Sequence, residues 1–273
     1  MKDIDKIHIA ALPMYDWAEA RADTDADWRA LRARLLAASL DAPEKIVRRN
    51  AELPAVPGGI RDRAGRLIAP NPATLPPDEL DFPTLWKHPD LLLAQTCWGP
   101  MEEGLEKHVT VIGQPSYDGI EGGQGELYSS AILMRRQGQG QPAPADGRAA
   151  LPLDLFRGRR FAFNSLDSMS GLIALTRDLE AAGESLGIFS ERIQTGAHRA
   201  SIVAVAEGRA DVCAVDCRSW RLARRHEPRA ADVEVVGWTA RRKGLPFITS
   251  RHTPAETVAK LRAVVAELAS DAQ

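Results

Sequence analysis

Residues 161–171 read Phe-Ala-Phe-Asn-Ser-Leu-Asp-Ser-Met-Ser-Gly, and residues 172–183 continue as Leu-Ile-Ala-Leu-Thr-Arg-Asp-Leu-Glu-Ala-Ala-Gly. The apolar triplet at 161–163 predicts a strand, and the run after Ser170 predicts a helix that stops at Gly183. Between them lies a polar turn carrying Ser165, Asp167, Ser168 and Ser170, with no basic residue in the first helical turn. A helix start offers unpaired backbone N–H groups and the positive end of the helix dipole, to which these hydroxyls add donors. Two readings follow. Ser and Asp at such a position cap helices with no ligand present, which is their commoner use. The same groups also form a seat for an oxyanion of phosphate-like or phosphonate-like shape.

Outward from this stretch the chain alternates strand and helix. Downstream, 191–195 predicts a strand leading into a helix over 198–207 that ends at Gly208. A buried strand over 210–216 precedes an Arg-rich helix, and strands follow at 233–238 and 245–250. Thr253-Pro254-Ala255-Glu256 has the form of a capping box and opens a last helix to about 269. Upstream, 7–14 predicts a first strand, 25–40 an amphipathic helix, 45–49 a short second strand, 82–88 one or two helical turns, and 91–96 and 109–112 buried strands. The Gly-rich segment 119–125 is a turn and lacks the Lys-Ser/Thr of a phosphate loop, 126–136 predicts one long strand, and 137–148 is a Gly/Gln/Pro linker. Residues 53–83 are Pro- and Gly-rich, with a small hairpin around Arg-Asp-Arg-Ala-Gly, and predict a surface excursion. This alternation predicts an α/β fold of parallel sheets covered by helices.

Composition limits the function classes. The chain has 273 residues and a formal net charge of −2, long enough for two lobes and without global attraction to nucleic acid or an anionic membrane. No apolar run reaches about 18 residues, so no membrane insertion is expected. The N-terminal residues lack a basic leader with a long apolar segment. The expected location is therefore periplasmic if an export signal has been removed, and cytoplasmic if Met1 is the native start. Cys97, Cys213 and Cys217 give neither a disulfide framework nor zinc spacing, so free buried thiols, no metal and no cofactor are expected.

In open α/β sheets, ligands bind where strands end and helices begin. Polar or aromatic groups mark five such ends: Tyr15 with Asp16, Gln95 to Trp98, Asn164 to Ser170, Thr195 to His198, and Asp216. The turns at Ser168–Ser170 and His198 belong to successive βα units, so His198 is placed to donate to the same oxyanion, with a charge-assisted bond if protonated. A helix-start His also satisfies local carbonyls, and Asp216 also caps the helix after it. Tyr15, Trp98 and Tyr128 are candidates for pocket walls, although single aromatics are commonly core. Ser168, His198 and Asp216 could compose a Ser-His-Asp set, but Gly-x-Ser-x-Gly is absent. The pattern is that of a binding site with no catalytic set.

Five segments, LWKHPDLLLAQTC, VTVIGQPSYDG, ELYSSAILMRR, FNSLDSMSGL and TGAHRASIVAVAEGRADVCAVDC, resemble the phosphate/phosphite/phosphonate-type substrate-binding proteins of ABC transporters. The resemblance covers most of the chain from Leu85 onward, plus the first strand. It implies a type II periplasmic-binding-protein fold, with two α/β lobes joined by two hinge strands and a ligand cleft between them. It places lobe one at 1–131 plus 247–273 and lobe two at 132–246, with crossings at 127–136 and 245–251. It implies Ser165, Ser168, Ser170 and His198 as oxyanion ligands, Asp216 as the partner of a ligand amino group, and Tyr128 as a hinge-strand tyrosine. It also implies a transporter permease as partner; a cytoplasmic sensor or small-molecule enzyme on the same fold is the alternative. Met169 stands where the family commonly has Ser or Thr, Trp98-Gly99-Pro100 replaces a Gly-Tyr-Pro arrangement, and Arg199 replaces a common acidic residue.

Overall fold

Leu91–Gln95 is buried at every position, the pattern of a strand covered on both faces. In the computed structural model, which describes residues 8–271, this strand (β4) lies inside a four-stranded sheet. Its neighbours are β1 (Ile9–Ala11) and β14 (Phe247–Ser250), and β5 (Val109–Gly113) lies beyond β14. β1 runs parallel to β4, whereas β14 is antiparallel to both β4 and β5. One face is covered by α1 (Arg21–Ala37) and α8 (Ala255–Asp271), through Trp28, Leu31 and Leu35 with Leu261, Val264 and Val265. The other is covered by α2 (Phe82–Lys87) and α3 (Trp98–Glu102), through Leu85, Trp86 and Met101. The excursion at 53–83 carries the expected hairpin, β2 (Ile60–Arg61) with β3 (Leu67–Ala69). Buried Asn50 ties down its far end, donating to Pro76 O at 2.9 Å and accepting from the Asp81 N–H at 2.8 Å.

The stretch that opened the sequence lies in a five-stranded sheet of order β10-β9-β11-β8-β12. Its members are β8 (Ser130–Arg135), β9 (Arg160–Phe163), β10 (Glu191–Gln194), β11 (Val212–Asp216) and β12 (Val233–Trp238). β10, β9 and β11 are parallel, while β8 is antiparallel to both β11 and β12. Short α4 (Leu153–Phe156) and α5 (Ala174–Ala181) cover one face through Phe156, Leu175 and Leu179, which meet Phe161, Phe163 and Phe189. α6 (His198–Ala206) and α7 (Cys217–His226) follow β10 and β11. A small sheet of β6 (Gly123–Gln124), β7 (Leu127–Tyr128) and β13 (Arg242–Lys243) completes this part.

The chain forms two compact units, Met1–Pro115 with Leu245–Gln273, and Ser116–Gly244. The sequence put the first passage at 131; here segment 116–131 belongs to the second unit because β7 pairs with both β6 and β13. The long strand expected over 126–136 is two strands that break at Ser129, whose N–H leaves the ladder for Gly122 O at 2.7 Å. Segment 45–49 forms no strand. Only the Val47 N–H reaches Ala10 O, at 2.8 Å, and the Arg48 side chain turns to Asp16 and Asp25. Both large sheets are mixed and not wholly parallel, since β14 and β8 run against their neighbours. Residue 7 of the expected first strand and Met1 lie outside the described residues.

Candidate functional site

Three adjacent parallel strands, β10, β9 and β11, each end at a helix start. After β9, Ser168 takes the capping role: its Oγ accepts the Gly171 N–H at 3.0 Å. Its carbonyl accepts the N–H groups of both Leu172 (3.2 Å) and Ile173 (3.0 Å), so the helix opens with a π turn, Met169–Ile173, before α5. Such turns recur at functional sites. The N–H groups of Met169 and Ser170 have no acceptor among the described residues, as the geometry of a helix start requires. Ser165 is half-buried, and its carbonyl accepts the Ser168 N–H at 3.2 Å.

The next turn is pinned to this one. The Thr195 N–H donates to Phe163 O at 2.8 Å, and the Gly196 N–H donates to Asn164 O at 2.9 Å. Gly196 has φ +86°, a left-handed conformation that glycine adopts without a Cβ penalty. α6 then starts at His198 with no side-chain cap. The Nε2 of His198 lies 2.9 Å from Ser170 Oγ and 3.5 Å from Asp216 Oδ2. Asp216 is buried, and its Oδ1 accepts the Ser219 N–H at 2.9 Å, so the same carboxylate caps α7 and faces the imidazole.

Burial pushes the His198 imidazole below the usual histidine range, with Asp216 acting in the opposite direction. That direction favours the neutral ring at neutral pH, whereas the charge-assisted bond considered from sequence requires a protonated one. A neutral imidazole carries one N–H. With that proton on Nε2 it serves Ser170 Oγ or the Asp216 carboxylate, and the Ser170 O–H remains to donate elsewhere. Both partners lie on the same nitrogen; Nδ1 is buried with no partner. A Ser-His-Asp relay requires the hydroxyl and the carboxylate on opposite ring nitrogens, so Ser170, His198 and Asp216 do not form one, and Ser168, the hydroxyl considered from sequence, accepts the Gly171 N–H instead of meeting His198.

Two further side chains come to this edge that sequence reasoning did not assign a role. Asn164 Oδ1 is buried without a partner and fits against Gly171, where an added Cβ would lie 1.9 Å from it. Asn164 sits in the quoted turn, and its direct sequence to a Gly at 171 was the available signal. Ser130 Oγ is likewise buried without a partner, at the start of β8 and in register with Asp216. Only strand pairing could reveal it.

The remaining expected residues belong to other elements. Tyr15 and Trp98 belong to the first unit, following the parallel neighbours β1 and β4. Tyr15 is buried, and adjacent Asp16 is held by Arg48 through bonds of 2.6 and 2.9 Å. Trp98 is half-buried at the start of α3, with Nε1 donating to Gln114 Oε1 at 3.4 Å. Gln95 Oε1 and Thr96 Oγ1, just before it, are buried and unpartnered. Tyr128 is a packed ring in the second unit, stacked on Tyr117 at 5.4 Å. Arg218 lies over the Tyr117 ring, 5.0 Å from its centroid. Among the described residues no group of His, Cys, Asp or Glu has the arrangement of a metal site, and no helix is long and apolar enough to cross a membrane.

Residues 105–273 match the family described as ABC transporter, phosphonate, periplasmic substrate-binding protein. The chain belongs to that family. It is a solute-binding protein of the ABC-transporter class, and the family's ligands are small molecules. Among solved structures it is similar to PhnD1 from Prochlorococcus marinus (MIT 9301) in complex with methylphosphonate. That match has 16% identity and a TM-score of 0.60, covering 95% of this chain and 83% of the other. A binding protein component of an ABC phosphonate transporter from Pseudomonas aeruginosa matches at 13% identity and a TM-score of 0.58, covering 95% of this chain and 74% of the other. XAC2383 from Xanthomonas citri, bound to ATP, matches at 14% identity and a TM-score of 0.57, over 98% and 85%. At these identities the likeness establishes the periplasmic-binding-protein fold. No curated protein sequence matches the chain.

Proposed function

We propose that this binding protein captures a small phosphonate-like oxyanion at the carboxyl edge of β10, β9 and β11, and delivers it to an ABC transporter permease. The observation that carries the reading is the convergence of Ser170, His198 and Asp216 at two helix starts, where the Met169 and Ser170 N–H groups have no acceptor among the described residues and α6 has no side-chain cap. A phosphonate oxygen accepts hydrogen bonds only, and this edge supplies donors: the Met169 and Ser170 N–H groups, the Ser170 O–H, and the N–H groups opening α6. Asp216 repels a bare oxyanion oxygen, so it faces a protonated oxygen or an amino group further along the ligand. Ser165 and Ser168 complete the turn, with Ser168 acting chiefly through its cap. Catalysis is not part of this reading, because Ser170 and Asp216 share one imidazole nitrogen.

A thermal-shift screen tests it directly. Phosphate, phosphite, methylphosphonate, an aminoalkylphosphonate, methanesulfonate and acetate are each titrated against the protein. A ligand of the native state alone raises the melting temperature by mass action. The expected result is a rise with at least one phosphorus oxyanion and none with acetate; no shift from any phosphorus oxyanion overturns the proposal.

A further inference from the structure

The excursion at 53–83 has no part in the proposed oxyanion site, yet its hairpin builds a second basic concavity. Arg61, Arg63 and Arg66 from the hairpin, with Lys87, Lys107 and Arg251, line a basin of about 390 Å³ wholly inside the first unit. Only one carboxylate, Asp62, lines it with them. Its Oδ2 is taken by Arg66 at 2.7 Å, and its Oδ1 accepts the Ala64 and Arg66 N–H groups, both at 2.9 Å. The other five cations have no carboxylate partner among the described residues. In a chain with a formal net charge of −2, this is a strong local excess.

Three of these cations are oriented without being neutralised. Arg61 donates to Gly65 O at 2.8 Å, Lys87 Nζ to Ile68 O at 3.1 Å, and Arg251 to Glu106 O at 3.4 Å. Carbonyl acceptors fix the side chains but leave the positive charge, so the fold bears their mutual repulsion. His108, which also lines the basin, registers that field. Burial first, then Lys87, with Lys107 and Arg66 adding to it, hold its imidazole below the usual range, while Asp62 acts the other way.

We infer that this basin binds a ligand bearing clustered phosphate groups, because several unneutralised cations converge there and one carboxylate is already occupied. Two sources supply that chemistry, a soluble oligophosphate and the headgroups of an anionic lipid surface. Leu67, 59% exposed on the same hairpin, would favour the second. The inference does not depend on the Ser170–His198 site.

Calorimetric titration with tripolyphosphate at fixed ionic strength and flotation with phosphatidylglycerol vesicles separate the sources. Arg63→Ala with Lys107→Ala removes two exposed side chains that make no ion pair, and circular dichroism checks that the fold is retained. Tripolyphosphate binding that weakens about tenfold or more in the double variant, and is unchanged in Ser170→Ala, supports a soluble oligophosphate. Vesicle binding alone, lost in the double variant, supports the lipid source. Binding of neither probe, or binding that the double variant leaves intact, overturns the inference.

Discussion

Ser170 Oγ and His198 Nε2 lie 2.9 Å apart although 28 residues separate them, because β9 and β10 are parallel neighbours and both helices start at the same sheet edge. If this pair holds an oxyanion, Ser170→Ala removes one donor to a charged group while leaving the backbone N–H groups. Affinity for the best ligand from the thermal-shift screen is expected to fall by about 1–3 kcal/mol, measured by calorimetry. Unchanged affinity would place the ligand elsewhere.

Asp216 distinguishes ligands by their own donors. Asp216→Asn keeps an oxygen to cap α7 and removes the negative charge facing His198 Nε2. The ratio of aminoalkylphosphonate to phosphate affinity is expected to drop, with phosphate binding unchanged or improved. A ratio equal to wild type removes Asp216 from ligand recognition.

Acidification is expected to destabilise the protein through two desolvated histidines, His198 and His88. Burial lowers the folded-state pKa of both His198 and His88 below their unfolded value. As pH falls through the ordinary histidine range the unfolded chain binds protons that the folded one refuses. The unfolding free energy therefore drops as pH falls below that range and is fully present above it. Urea unfolding from pH 8 to pH 5.5 measures this, and His198→Gln should flatten the profile.

Buried Asp178 pairs with half-buried Arg242 through bonds of 2.6 and 3.1 Å, and Asp178 also accepts the Ala240 N–H at 2.8 Å. Asp178→Ala strands both donors. The expected loss is about 2 kcal/mol in denaturant unfolding, between the scales for surface and buried ion pairs. A loss below about 1 kcal/mol would show that water reaches Arg242 and replaces the carboxylate, as it does for surface pairs.

Burial raises the thiol pKa of Cys213 and Cys217 far above the usual cysteine range, whereas Cys97 is partly accessible. In native protein at pH 8, a disulfide reagent is expected to titrate Cys97 alone; all three should react after unfolding. Native labelling of Cys213 would mean that β11 opens locally.

Much of the fold was legible because its signals are local. The apolar runs at 91–94 and 212–215 read as strands, since burial on both faces keeps them apolar up to the polar strand ends Gln95 and Asp216. Gly183 and Gly208 marked helix ends by their left-handed backbone, with φ of +78° and +76°. The strand called over 126–136 failed at Ser129 because only a partner in another sheet decides where a β-ladder breaks. The 45–49 segment looked strand-like because β-propensity reports a fit to a pleated surface, but it meets the β1 edge through the Val47 N–H alone before Arg48 turns to Asp16 and Asp25.

The candidate site divides in the same way. The sequence by itself determined that the 161–171 turn carries hydroxyls at a helix start, and that His198 and Asp216 follow strands of their own, because capping chemistry and strand ends are written in neighbouring residues. Tertiary structure alone decided that Ser168 spends its Oγ on the cap while Ser170 meets His198. It also brought Ser130 opposite Asp216 and desolvated the imidazole enough to lower its pKa. Strand order and desolvation depend on residues far apart in the chain, and no local pattern encodes either.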